Sequence, residues 1–214
     1  MDAGLFGGTF NPLHNGHLGI IQYVKDHCGL DKIFLFPSAT PPHKPDHNLA
    51  PAEERLAMVT DAIEELPGFF ASDIELKRRG PSFTIDTIQT FKKIHGPHLN
   101  FSLLMGSDAF FDITTWKEKE KIFKIVPIIV MLRGKPIGLD SIVSFIDEQI
   151  SKGYTLKAEN FFIHDQLKPI RICKVPRIDI SSTQIRNRVK AGRPITGLVP
   201  QIIETRIKTK DLYR

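Results

Sequence analysis

The 214 residues carry 41% hydrophobic and 25% charged side chains, the balance of a globular chain long enough to bury its own core. No apolar run approaches the ~18 residues needed to span a bilayer, which excludes a helical membrane protein. The net charge of +5 suits a polyanionic small ligand, a nucleic acid or a merely solvated basic surface, and decides nothing among them.

In chain order, Met1-Asp2-Ala3-Gly4-Leu5-Phe6 lacks the charged-then-apolar layout of a secretory leader, so a cytoplasmic protein is expected. Gly4-Leu5-Phe6 reads as the end of a first strand, followed by a loop and a helix over residues 16–27. Ile33-Phe34-Leu35-Phe36 is a buried strand stopped by Pro37. Pro41-Pro42-His43-Lys44-Pro45 is a loop, because proline and the residue before it resist helix. Pro51 opens a helix over 51–66 with Glu53 and Glu54 in its first turn. Residues 69–76 are expected to be extended and 84–94 helical. Phe101-Ser102-Leu103-Leu104-Met105, Ile128-Ile129-Val130-Met131-Leu132 and residues 170–175 are further strands. Two helices, starting at Ser182 and near Pro200, close the chain.

This alternation predicts an α/β fold: an open, Rossmann-like parallel sheet with helices on both faces and a helical C-terminal portion, in one domain over 1–214. The less regular stretch 134–168 is expected to be an insertion at the far edge of the sheet. Cys28 and Cys173 have no metal-ligand spacing and do not suggest a disulfide framework.

Two motifs carry chemistry. The first is Gly7-Gly8-Thr9-Phe10-Asn11-Pro12-Leu13-His14-Asn15-Gly16-His17. It lies between a strand and a helix, where open α/β sheets bind ligands. Gly7 and Gly8 let backbone N–H groups approach an anion, and the following helix offers its positive end to phosphate. His14 and His17 are three apart and share a face if both are helical. Gly16 between them leaves room for a phosphate group, and both imidazoles can donate to its oxygens. A structural histidine pair and a zinc pair are the alternatives, the latter without a third ligand at a recognised spacing. No Gly-Lys-Ser/Thr follows the glycines, so this is not a Walker A loop, and the third glycine is misplaced for a dinucleotide fingerprint.

The second motif is Ile180-Ser181-Ser182-Thr183-Gln184-Ile185-Arg186. Its serines and threonine cap a helix start, the free N–H groups can take phosphate oxygens, and Arg186 lies one turn on to clamp an oxyanion. A plain N-cap with a surface arginine is the alternative.

Together the motifs resemble the nucleotidyltransferase superfamily, with its His-x-Gly-His near the first strand and its late Ser-Ser-Thr-x-x-Arg. The whole chain resembles one family within it, the bacterial nicotinate mononucleotide adenylyltransferases. That resemblance rests also on Phe36-Pro37-Ser38-Ala39-Thr40-Pro41-Pro42-His43-Lys44, on Glu75-Leu76-Lys77-Arg78-Arg79-Gly80-Pro81-Ser82-Phe83-Thr84-Ile85-Asp86-Thr87, on Met105-Gly106-Ser107-Asp108, on residues 112–116, and on Leu198-Val199-Pro200. Asn11 stands where the family more often has aspartate, and Phe83 where it often has tyrosine.

The resemblance implies transfer of AMP from ATP to nicotinate mononucleotide, giving nicotinate adenine dinucleotide and pyrophosphate. His14, His17 and Arg186 are the implied catalytic residues. Gly7, Gly8, Thr9, Phe10, Lys44, Gly106, Asp108, Ser182 and Thr183 are implied on the ATP side, although Asp108 also reads as a helix N-cap. Thr84, Trp116 and Lys117 are implied on the nicotinate side, where backbone N–H groups near Thr84 and Trp116 receive the carboxylate. Trp116 stacks on the pyridine in this reading, and packs in the core in the alternative. Mg²⁺ is expected to bridge phosphate oxygens with few or no protein ligands. The incoming phosphate has a second pKa near ~6 and is already mostly dianionic, so no general base is required. A sister adenylyltransferase acting on phosphopantetheine or nicotinamide mononucleotide is the close competitor. A nucleic-acid-binding module is not expected, because the basic residues are dispersed without interleaved aromatics. Neither is a membrane partner, while a homo-oligomer is left open.

Overall fold

Side chains along each strand alternate between two apolar layers, as the two-residue period of a strand dictates. In the computed structural model, which describes residues 1–40, 49–78, 80–132 and 139–214, this alternation runs through the central strands. Ala3 and Leu5 of β1 (Asp2–Gly8) face one layer, while Phe6 faces the other. Phe34 and Phe36 of β2 (Lys32–Pro37) join the first layer, and Ile33 and Leu35 the second. The first layer is roofed by α3 (Thr84–His95), α4 (Ser107–Phe111), α5 (Lys119–Ile125) and α6 (Leu139–Phe145). The second is roofed by α1 (Asn15–Cys28), α2 (Ala52–Ile63), α7 (Ser182–Lys190) and α8 (Gln201–Thr209).

The remaining strands are β3 (Phe69–Ala71), β4 (Asn100–Gly106), β5 (Ile128–Leu132), β6 (Thr155–Ala158), β7 (Phe161–Ile163) and β8 (Ile170–Lys174). The described residues form an eight-stranded sheet in the order β3-β2-β1-β4-β5-β8-β7-β6. From β3 to β8 all pairings are parallel; β7 and β6 are antiparallel. A mostly parallel sheet was expected, and the described strands agree with that except at this one edge. The difference arises at residues 164–169, a connection too short for the crossover that parallel strands need. Asn160, at φ 60°, turns the β6–β7 hairpin in a conformation asparagine tolerates. Thus residues 139–163, inside the stretch expected as an insertion, supply α6 and the antiparallel edge.

α1 shows why the helices sit where they do. Ile20, Ile21 and Val24 recur at helical spacing and are buried, each contributing about 1.5–3 kcal/mol. Gly29 ends the helix at φ 68°, a left-handed position that glycine occupies without steric cost. The segment 69–76 was expected to be extended throughout, but the chain leaves the sheet after Ala71. There the buried Glu75 carboxylate accepts from Thr87 Oγ1 at 2.7 Å, which holds 73–78 in a turn. No helix among the described residues is long and apolar enough to cross a membrane.

β1 and β4 are neighbours, yet the chain leaves β1 toward α1 on one face and β4 toward α4 on the other. Such a reversal opens a crevice at the carboxyl ends of the strands, beside Gly7-Gly8 and Gly106-Ser107.

Candidate active site

The loop after β1 is shaped by packing. A Cβ on Gly7 would lie 2.4 Å from the Phe36 ring, and one on Gly8 would lie 2.9 Å from the Phe10 ring. These glycines therefore serve the aromatic neighbours as well as leaving the backbone open. Phe10 holds φ 47°, a strained position for a non-glycine residue, and turns the chain inward. Its ring is buried against Phe6 and the edge of His17. Phe10 was expected to bind ATP; with the ring so placed, a ligand contact is limited to its backbone.

His14 is the N-cap of α1. Its Nδ1 accepts from the His17 N–H at 3.2 Å, and its ring stacks on that of His17 with centroids 3.6 Å apart. A neutral His14 whose Nδ1 accepts must carry its proton on Nε2, which makes that nitrogen the donor. The space above Gly16 is not open for a phosphate, as the sequence had implied. A Cβ there would lie 3.0 Å from His14 Nδ1 and 3.4 Å from the Ile180 Cβ, so Gly16 makes room for the His14 ring itself. Gly19 likewise admits Ile178.

That close approach brings the second motif onto the first. Ser182 Oγ donates to the Pro12 carbonyl at 2.9 Å, and Arg186 Nη1 donates to the Asn11 carbonyl at 3.0 Å. The N-cap of α7 is Ser181, whose hydroxyl accepts from the Gln184 N–H at 3.1 Å. Ser182 and Thr183 are then the first two helical residues, whose N–H groups have no intrahelical acceptor. Arg186 Nη2 reaches Thr183 Oγ1 at 3.4 Å. Neither α1 nor α7 has a carboxylate in its first turn, so the positive end of each helix is not neutralised by its own side chains. From the C-terminus Tyr213 comes near Arg186 and Arg55, and burial pushes its phenol pKa up.

Gly106 ends β4 beside β1 and Ser107 is buried behind it. Asp108 is exposed, as the second residue of α4 and not its cap; the cap position is Gly106. Thr84 is the first residue of α3, after Phe83. Lys117 forms an ion pair with Asp86 at 3.2 Å and lies over the Phe83 ring, 4.7 Å from its centroid. Trp116 is half-buried against the layer roofed by α3 and α5. Its backbone N–H donates to the Ile113 carbonyl at 3.0 Å in a single 3₁₀ turn. Thr84 and Lys117 thus both lie at the start of α3. Lys44 lies outside the described residues.

The cytidylyltransferase-like family model matches residues 5–188. The chain is 37% identical over 214 residues to a probable nicotinate-nucleotide adenylyltransferase of Salinibacter ruber, across 100% of this chain and 98% of that protein. It is 36% identical over 220 residues to one of Desulfatibacillum aliphaticivorans, across 100% of both. The chain belongs to the nicotinate-nucleotide adenylyltransferase family. Its fold resembles that of a Plasmodium falciparum nicotinic acid mononucleotide adenylyltransferase complexed with NaAD, with TM-score 0.75 over 99% of this chain and 97% of that one, at 20% identity.

Within this family member, two positions that hold the site together were given no role by the sequence reading. Asn11 is 3% exposed; its Oδ1 accepts from the Ala50 N–H at 3.0 Å, while its carbonyl receives Arg186. Arg55 is fully buried and donates to the carbonyls of Thr9 at 2.8 Å, Ala50 at 3.0 Å and Ala39 at 3.3 Å. Burial lowers its pKa from the usual arginine value. Ala39 in turn donates to Ser82 Oγ at 3.1 Å, so Arg55 links the β1–α1 loop to the segment entering α3. One signal was legible: Arg55 shares the apolar helix face of Met58 and Val59, where a charge needs a buried partner.

Proposed function

We propose that this chain transfers AMP from ATP to nicotinate mononucleotide, releasing pyrophosphate and forming nicotinate adenine dinucleotide. The reading rests above all on the hydrogen bonds from Ser182 and Arg186 to Pro12 and Asn11, which gather two helix N-termini, two imidazoles and a guanidinium at one corner of the sheet. That corner is a donor-rich receptor for a triphosphate.

The dianionic phosphate of the mononucleotide attacks the α-phosphorus in line, and the α–β bridging oxygen leaves with pyrophosphate. His14 donates from Nε2 to a phosphate oxygen as charge moves onto it, and its ring is held by the stack on His17 and by the N-cap bond. The N–H groups of Ser182 and Thr183, with Arg186, hold the leaving β and γ phosphates. The protein's part is positioning and charge stabilisation, not proton abstraction. Among the described residues no cluster of three or more His, Cys, Asp or Glu could cage a metal, while N–H and cationic donors abound. Magnesium would enter with the nucleotide as part of the substrate and would neutralise phosphate charge beside the donors of His14, His17, Ser182, Thr183 and Arg186. In this reading Trp116, Thr84 and Lys117 define the nicotinate side.

The test is a side-by-side assay of nicotinate mononucleotide, nicotinamide mononucleotide and phosphopantetheine with ATP, read by pyrophosphate release. The nicotinate compound is expected to give the highest kcat/KM. A preference for phosphopantetheine would overturn the assignment.

A further inference from the structure

Glu75, Arg78 and Thr87 form a polar cluster that the phosphate chemistry does not use. Glu75 is 3% exposed and Thr87 fully buried, with Arg78 half-buried beside them. Thr87 Oγ1 has one proton to give, and the nearer of its two acceptors is Glu75 Oε1 at 2.7 Å, against 3.3 Å to the Phe83 carbonyl. Arg78 Nη2 donates to the same hydroxyl oxygen at 3.1 Å and reaches the Phe83 carbonyl at 3.5 Å. Guanidinium and carboxylate are themselves 4.0 Å apart, too far for a direct hydrogen bond, so the hydroxyl is the relay that joins them.

Stability alone does not account for this cluster. Glu75 Oε2 and Arg78 Nε are buried without a hydrogen-bond partner. Buried ionic groups left partly unsatisfied stabilise a fold poorly, and packed apolar side chains serve a core better. Polar groups kept at such a disadvantage mark a functional site. The cluster lies at the start of α3. Phe83 is the N-cap of that helix and supplies no side-chain cap. Its carbonyl and the Thr87 hydroxyl, one turn on, are gripped instead by Arg78 and Glu75 from the turn that follows β3. The Thr84 N–H, at the first helical position, has no intrahelical acceptor. The same helical turn carries Asp86, which pairs with Lys117 at 3.2 Å.

We propose that Glu75 and Arg78 are positioning residues for substrate selection: through Thr87 and Phe83 they fix the start of α3, where the carboxylate of nicotinate mononucleotide is read. The inference rests on the reaction proposed above and deepens its nicotinate side. A carboxylate gains from a donor only while that donor stays aimed at it, and the uncharged carboxamide of nicotinamide mononucleotide gains less from the same donor. Loosening the clamp therefore costs the nicotinate substrate more than the nicotinamide one, and leaves the ATP side as it was.

The experiment compares four variants of the full chain. Thr87→Val removes the relay hydroxyl and keeps the shape, Thr87→Ser keeps the hydroxyl, Arg78→Gln removes the cation at a half-buried position, and the fourth combines Arg78→Gln with Thr87→Val. Each is measured for thermal unfolding and for steady-state kinetics with ATP and both mononucleotides. Thr87→Val and Arg78→Gln should each raise the KM for nicotinate mononucleotide at least ~10-fold, well within the cost of a misplaced contact, with the ATP KM unchanged. Each should also lower the preference for the nicotinate over the nicotinamide substrate. The double variant should be no worse than the worse single, because both break one chain, and Thr87→Ser should behave like the parent. Should Thr87→Val fail to fold, Arg78→Gln carries the test by the same readouts. A fall in Tm with both KM values and the preference unchanged, or additive effects of the two substitutions, would overturn the proposal and leave the reaction in place. An unmutated chain that does not favour nicotinate mononucleotide would overturn the reaction, and the proposal with it.

Discussion

Arg186 reaches across from α7 to donate to the Asn11 carbonyl at 3.0 Å, so the last motif of the chain is anchored on the loop of the first. The same guanidinium is proposed to hold the departing pyrophosphate. Replacing it separates the two jobs unequally. One hydrogen bond to a carbonyl contributes about 1 kcal/mol, which is a shift of about 2–4 °C in Tm for a chain this size. Loss of a charged donor to a developing oxyanion costs about 10²–10³ in turnover. Arg186→Ala should therefore lower kcat by at least ~100-fold while Tm falls by only a few degrees. A Tm collapse with kcat retained in the folded fraction would make Arg186 a structural strut alone.

His14 caps α1 through Nδ1 and is proposed to donate to phosphate through Nε2. Asparagine at this position can keep the cap, because its carbonyl oxygen reaches the same N3 amide, but it has no distal donor. His14→Ala is expected to lose about 1 kcal/mol of stability and turnover by about 10²–10⁴. His14→Asn should recover the stability without the turnover. Recovery of both, in thermal unfolding and steady-state kinetics, would show that the imidazole's role is capping.

Arg55 donates to three backbone carbonyls from a fully buried position. Methionine fills much of the volume but leaves those acceptors unpaired, at about 1–3 kcal/mol for each group that cannot find water. Arg55→Met should cost about 3 kcal/mol in urea unfolding and raise the KM for ATP, since the Thr9 carbonyl is released. A loss below ~1 kcal/mol would mean that water or backbone shifts replace the guanidinium.

The central strands and the two phosphate motifs were legible because each is a local signal. Ile128–Leu132 is a continuous apolar run, and its observed bounds match the expected ones. What the sequence hid is long-range. Arg55 shows only its place on an apolar helix face; the acceptors that give it a role arrive from Thr9 and Ala39. The antiparallel edge went unread because the Thr155–Ala158 strand is only four residues long and exposed throughout, so its alternation marks no buried face. α4 and α5, at five and seven residues, are too short to show a helical period. Gly16 was correctly placed between the histidines, but its neighbour could be named only with the His14 ring in view.

Trp116 presents a choice between stacking on a ligand and filling the core. It is half-buried against the layer under α3, near the Lys117–Phe83 contact. Trp116→Ala is expected to raise the KM for nicotinate mononucleotide at least ~10-fold, the scale of one lost aromatic contact, with the ATP KM nearly unchanged. Equal rises in both constants would assign the ring to packing.

Gly16→Ala sets two opposing effects against each other. Alanine stabilises a helix interior over glycine by about 1 kcal/mol. Its Cβ, however, would lie 3.0 Å from His14 Nδ1 and 3.1 Å from Cε1. The ring cannot give way freely, since it is stacked on His17 and bonded to the His17 N–H. Moving it weakens a cap worth about 1 kcal/mol, so the two stability effects nearly cancel. Turnover has no such compensation, because even a displacement of a few tenths of an ångström misaims the Nε2 donor. The expected outcome is a Tm within a few degrees of the parent and a kcat at least ~10-fold lower, equivalent to about 1.4 kcal/mol of lost transition-state stabilisation. A more stable protein with full activity would show that the exact placement of the His14 ring is not what the reaction needs.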